Sequence, residues 1–193
     1  NGGNSLNPSM RGRVFELVSC SSVIELKRVE LVVYALNRLD NNIKVHWTHF
    51  GDGERMSYVK ELAAKVLRGK NITYSFMGYV RNESIISYYK ENHIDCFVIT
   101  SSNEGLPVSI MEALSFGIPV IATDVGGVRE AIEGNGILLL AYPDENEVAK
   151  AITKLYWMPD EEKEVMRQRS YEIWKQKFDA DSNARKFVSE LPI

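Results

Sequence analysis

The sequence predicts an α/β domain built on a doubly wound parallel sheet and ending in a helical C-terminal tail. Short apolar runs alternate with longer amphipathic ones along most of the chain, which is the pattern of βα units. The run at residues 94–100 carries little polar content, as a strand covered on both faces requires. Right-handed crossovers then wind such units into one sheet with helices on either side. With 193 residues, 45% hydrophobic and 25% charged, the chain suits one domain with a sizeable core and a short extension.

Taken in order, residues 14–20 read as a strand. Residues 26–39 repeat apolar side chains at Leu26, Val29, Val32, Val33 and Leu36, a helical stripe. Residues 43–50 are strand-like, and Gly51-Asp52-Gly53 turns the chain into a helix at 56–67. A strand at 71–77, a helix at 83–91 and the buried strand at 94–100 follow. The remaining elements are a helix at 107–116, a strand at 119–123, a short helix at 128–133, a last strand at 137–141, and helical sequence over 145–191.

Several function classes are disfavoured. A formal net charge of -3 lacks the basic excess of a nucleic-acid binder. No run approaches the roughly 20 apolar residues of a membrane span. Residues 1–13 are polar and Gly-rich without the apolar core of a signal peptide, so the simplest compartment is the cytosol. Cys20 and Cys96 sit far apart in apolar runs and read as buried free thiols. His46 and His49 lie three apart in a strand, so alternation puts them on opposite faces and no metal site follows.

Ligands of doubly wound sheets bind outside the carboxyl ends of the strands. The loops to read are therefore those after Cys20, Phe50, Met77, Thr100 and Thr123. The loop after Thr100 is the most informative, running through Glu104-Gly105-Leu106-Pro107-Val108-Ser109 into a helix. Pro107 fits a first helical turn, where its missing N–H costs nothing. Gly105 lets backbone approach a ligand without a Cβ in the way. The free N–H groups of Leu106, Val108 and Ser109 then face the crevice, where exposed amides and the helix dipole favour an anion. Glu112 shares a helix face with Ser109, Val108 and Gly105, while Ile110, Ala113 and Leu114 take the face that packs on the sheet. A carboxylate so placed suits a diol such as ribose, and Glu104 suits a second hydroxylated ring.

The Glu104-x7-Glu112 arrangement around Gly-Leu-Pro resembles the signature of the GT4 family of retaining glycosyltransferases, which have the GT-B fold. The continuation from Gly117-Ile118-Pro119 through Asp124-Val125-Gly126-Gly127 to Glu130, and Gly134-Asn135-Gly136 after it, is similar to the same family. The resemblance covers residues 14–140 and implies a Rossmann-like C-terminal half of a GT-B enzyme. It implies that Glu104 contacts the donor sugar, Glu112 the ribose hydroxyls, and the amides after Gly105 the diphosphate. Ser19 to Arg28 resembles the family's first loop, and Lys27 matches the lysine that neutralises the diphosphate. Catalysis is thereby assigned to Glu104 and Lys27. Ser22 stands where the family commonly has Arg, which removes a bidentate phosphate clamp and implies either weaker donor binding or compensation by Arg28, a further donor-binding residue, or by the absent domain. Gly78, Tyr79 and Val80 match the segment whose backbone reads the nucleobase.

The resemblance implies transfer of a sugar from a nucleoside diphosphate, UDP favoured, with retention and without an essential metal or other cofactor. An Asp179-Ala180-Asp181 triplet lies in the helical tail far from any strand and reads as a turn or cap. Complete enzymes of this kind have two such domains, so this chain alone is expected to be inactive. An acceptor glycan or lipid, and peripheral membrane association at the cytoplasmic face, would come through an absent N-terminal domain. Residues 1–13, opening Asn1-Gly2-Gly3-Asn4, then read as a hinge remnant, 14–155 as the nucleotide-sugar-binding domain, and 156–193 as a tail crossing back to the absent domain. Trp157, Trp174, Phe178 and Phe187 either mark that lost interface or pack on the domain's own sheet. A nucleotide-sugar epimerase of the same fold and a non-catalytic interaction module are the alternative readings.

Overall fold

The computed structural model describes residues 12–179. Six strands form one sheet: β1 (Phe15–Cys20), β2 (Val45–Phe50), β3 (Ile72–Phe76), β4 (Cys96–Ile99), β5 (Val120–Thr123) and β6 (Gly136–Leu139). Their order is β3-β2-β1-β4-β5-β6, and every neighbouring pair is parallel. The chain winds outward from β1 to β3, then returns to lay β4 against the other side of β1, with Leu17 opposite Cys96. The expected doubly wound parallel sheet is the observed one.

Period-2 alternation sorts even the uniformly apolar strands into two faces. Phe15, Leu17, Cys96, Val98 and Ile121 face α1 (Val29–Arg38), α2 (Met56–Val66) and α5 (Glu145–Trp157). Val18, Phe97, Ile99, Val120 and Ala122 face α3 (Asn82–Glu91), α4 (Val108–Ser115) and α6 (Asp160–Ile173). Burying Ile110 and Leu114 completely on the second face stabilises α4 by roughly 1.5–3 kcal/mol per side chain, which anchors the helix on which the candidate site depends.

The first helix is shorter than its stripe suggested. Glu25–Lys27 form a 3-10 turn, Arg28 adopts a left-handed conformation with φ of 47°, and α1 starts only at Val29. Leu26, counted in the stripe, is half exposed; Val29, Val32, Val33, Ala35 and Leu36 make the core face. Pro107 is the residue before α4 rather than its first helical one. The short helix at Val128–Ala131 is a 3-10 turn.

The helical sequence after residue 145 is not continuous. Pro159 forces Met158 into an extended conformation, which ends α5 and lets α6 begin at Asp160. A π-helical turn, Trp174–Phe178, follows. The division expected after residue 155 falls inside α5, where Tyr156 is buried against Phe15. Trp157, Trp174 and Phe178 pack partly buried on this domain's own clusters, so they do not form a bare aromatic face. Asp179 caps the last turn through its N–H to the Trp174 carbonyl. Phe187, Ala180, Asp181 and Asn1 to Asn4 lie outside the described residues.

His46 and His49 do take opposite faces. His46 pairs through Nδ1 with Thr73 Oγ1 at 2.8 Å, whereas His49 is fully buried beside Trp47 and Phe76. Ser19 Oγ accepts from Trp47 Nε1 and shares a 2.8 Å hydrogen bond with His49 Nδ1. Burial holds the His49 imidazole neutral and lowers its pKa from 6.5 to about 4. The unfolded chain therefore takes up a proton between those values that the folded chain does not. Stability should fall as pH drops through that window, by on the order of 3 kcal/mol at its acid end. Urea unfolding from pH 7 to pH 4 checks this, and His49→Gln should flatten the slope.

Candidate active site

Strand order reverses between β1 and β4, so the loops leaving their carboxyl ends diverge and open a crevice. Lys27 comes from the loop after β1 and Glu104 from the loop after β4. They meet across the crevice, Lys27 Nζ to Glu104 Oε1 at 2.6 Å. Both side chains are largely withdrawn from water, 22% and 9% exposed. The two loops are also laced together by hydrogen bonds. Ser102 N donates to the Leu26 carbonyl at 2.8 Å, and Thr100 Oγ1 donates to the Arg28 carbonyl at 3.0 Å.

The left-handed backbone at Arg28 is rarely adopted by a non-glycine residue and costs on the order of 1 kcal/mol. Its guanidinium offsets this by donating to the carbonyls of Thr100 at 2.7 Å and Ala141 at 3.1 Å, and it lies 5.5 Å from the Tyr142 ring centroid. Burial lowers its pKa, with Tyr142 and Glu30 acting in the opposite direction. Arg28 thus ties the ends of β4 and β6 to the start of α1. Arg28, expected from the sequence to help bind the donor in place of an arginine at Ser22, has its guanidinium bonded to these carbonyls.

Two glycine contacts fix the loops more tightly than hydrogen bonds alone. Gly126, after β5, has φ of 54°, and a Cβ there would stand 1.7 Å from the Glu104 carbonyl oxygen. Its neighbour Gly127 donates its N–H to the Gly105 carbonyl at 2.9 Å. Gly51, after β2, presses equally closely on the Ser21 carbonyl, with a Cβ contact of 1.9 Å. The crevice walls are therefore braced from both outer sides.

At the start of α4, among the described residues, the amides of Leu106, Val108 and Ser109 donate to no protein acceptor. They carry the positive end of a helix whose apolar face is buried. Glu112 accepts a hydrogen bond from Asn82 Nδ2 at the start of α3. The Cys20 thiol, at the end of β1, is pushed up to about 11 by burial and then by the charge of Glu112, which puts that carboxylate beside the crevice. Gly78 has φ of 66°, and its carbonyl accepts from Gly51 N at 2.9 Å. Tyr79 is largely exposed and Val80 is packed on the second core cluster.

The structure thus gathers Lys27, Glu104, Gly105, Leu106, Pro107, Val108, Ser109 and Glu112 at the crevice, with Gly78 to Val80 on the neighbouring loop. Ser22 is exposed on the loop after β1. Sequence reasoning missed Asn82, for which no local pattern exists, and the brace role of Gly126 and Gly127. The adjacent glycines after a strand were the available signal for the latter. Among the described residues, no three His, Cys, Asp or Glu side chains cluster closely enough to hold a metal ion.

Comparison with known proteins agrees with this fold. The family described as Glycosyl transferases group 1 matches residues 11–173. The O-antigen biosynthesis glycosyltransferase WbnH of Escherichia coli is 36% identical over 106 residues, covering 55% of this chain and 28% of that protein. The pneumococcal O-GlcNAc transferase GtfA, solved with UDP and GlcNAc, superposes with a TM-score of 0.72 and 25% identity, over 96% of this chain and 38% of its own. Anabaena HepE, solved with UDP-glucose, shares the fold with a TM-score of 0.74 and 21% identity, over 93% of this chain and 50% of its own. The chain spans less than a third of the length of curated relatives such as WbnH.

The brace has a direct test. Gly126 and Gly134 both have positive φ, but a Cβ at Gly134 meets nothing within 4 Å. Gly134→Ala should cost about 1 kcal/mol in urea unfolding, from backbone strain alone. Gly126→Ala should cost at least about 2 kcal/mol more, from its collision with the Glu104 carbonyl.

Proposed function

The chain belongs to the group 1 glycosyltransferases, and within that family we propose that it binds a nucleoside-diphosphate sugar for transfer with retention at the anomeric carbon. The observation that carries this reading is the meeting of Lys27 and Glu104 at the switch point beside the unpaired amides of α4. Departure of a nucleoside diphosphate gathers negative charge on its phosphates. Lys27 and the amides of Leu106, Val108 and Ser109 meet that charge without reorganising, the form of stabilisation that contributes most in such sites. In this reading Glu104 accepts from hydroxyls of the sugar and Glu112 from the ribose diol. The backbone of Gly78, Tyr79 and Val80 receives the base. The positive partners the diphosphate needs are then supplied by the protein itself, so the reaction requires no metal.

UDP is the favoured nucleotide. Its support is GtfA, a relative with 28% identity over 88% of this chain, whose name specifies UDP-N-acetylglucosamine. WbnH is an O-antigen biosynthesis enzyme, and by analogy the acceptor is a surface glycan or its lipid carrier. Acceptor binding belongs in this proposal to a further N-terminal domain, without which the chain alone does not complete transfer. That domain would also bring the enzyme to the cytoplasmic face of a membrane; among the described residues no helix is long and apolar enough to cross one.

Thermal unfolding with UDP, GDP, ADP and CMP tests the donor site. A nucleotide at about a hundred times its dissociation constant stabilises by roughly 2.7 kcal/mol, which raises Tm by about 5–10 °C for a domain of this size. One nucleoside diphosphate should give this shift, with or without magnesium, and Glu112→Ala should remove it. Product analysis of the longer polypeptide, with and without acceptor, separates transfer from epimerisation.

A further inference from the structure

The Lys27–Glu104 pair has a consequence beyond donor binding. Among the described residues, each is the other's only ion partner. Glu104 is about nine-tenths withdrawn from water. Its backbone is held by Gly126, and the loop carrying Lys27 is held by Thr100 and Ser102. Neither charge can retreat far from the other. A phosphate that takes Lys27 must therefore take it from Glu104, and it leaves behind a buried carboxylate without its cation. Such a group is costly unless other donors replace the lost one.

Two ligands differ at this point. A nucleoside-diphosphate sugar brings phosphates for Lys27 together with hydroxyl donors for Glu104. A bare nucleoside diphosphate brings phosphates for Lys27 but no sugar hydroxyls for Glu104, so the carboxylate is left without a replacement donor. We propose that the Lys27–Glu104 pair discriminates donor from product, weakening the hold on the bare nucleoside diphosphate so that it leaves after transfer. Glu104 is then specificity-determining through its competition for Lys27. This inference rests on the donor-site reading above.

Isothermal titration of the chain with UDP and UDP-glucose, and with GDP and GDP-mannose, tests it. The wild-type chain should bind one diphosphate sugar more tightly than the matching free nucleotide. Glu104→Gln keeps the shape and removes the charge. It should bind the free nucleotide about tenfold tighter, the scale of one lost charge contact, while the sugar nucleotide gains nothing. In a Lys27→Met background the gain from Glu104→Gln should shrink to less than about twofold, because the competition needs both partners.

Equal wild-type affinity for the sugar nucleotide and the free nucleotide overturns the inference without recourse to any variant. A free-nucleotide affinity unchanged or weakened by Glu104→Gln also overturns it, and so does an undiminished gain in the Lys27→Met background. These results leave the donor site standing. Absence of binding by every nucleotide to every form removes the donor-site reading and this inference together.

Discussion

Parallel strands cannot be joined by a tight turn, and this constraint organises the molecule. Each return to the sheet needs a crossover, and the chain makes its crossovers outward from β1 in one direction and then in the other. β1 and β4 are therefore neighbours whose following loops run apart. The gap between those loops is a product of topology, present before any side chain is chosen. Lys27 and Glu104 are the residues this chain places in it.

Holding two charges in such a gap needs a rigid frame. Backbone contacts supply it, through glycines of the outer loops pressed on the carbonyls of Ser21 and Glu104, with Arg28 bonded to the ends of β4 and β6. A left-handed backbone at Arg28 separates the 3-10 turn carrying Lys27 from α1, and the Arg28 guanidinium offsets the strain by satisfying strand-end carbonyls. The apolar half of α4 completes the frame: Ile110 and Leu114 fix the helix on the sheet, which leaves its first amides and Glu112 at the open end.

Much of this was legible in the chain because the dominant signals are local. The alternation of strand and helix patterns and the uniform apolarity of β4 fixed the fold class. The Gly105-Leu106-Pro107 turn at a strand end marked the helix start with its free amides, and the spacing from Glu104 to Glu112 placed both carboxylates near it. What escaped depended on contacts between distant segments. The stripe from Leu26 runs in register with α1, so nothing local announces that the backbone breaks at Arg28. Asn82 reaches Glu112 only because α3 and α4 pack on the same face of the sheet. The break at Pro159 was a local signal outweighed by the helical composition around it. The aromatic residues of the tail could not be assigned from sequence, since packing on the sheet and covering a partner demand the same side chains.

The central claim is that the start of α4, beside Lys27, receives the phosphates of a nucleoside diphosphate. The most direct measurement is an amide NMR titration of the chain with UDP and with GDP, because it reports on the individual groups the claim names. The account predicts saturable shifts in the amides of Leu106, Val108 and Ser109 and in the loop carrying Lys27. The opposite end of the sheet, around Arg13 and Asp95, should stay unchanged. Saturable shifts confined to that opposite end, or shifts at the crevice that leave those three amides unmoved, would contradict it.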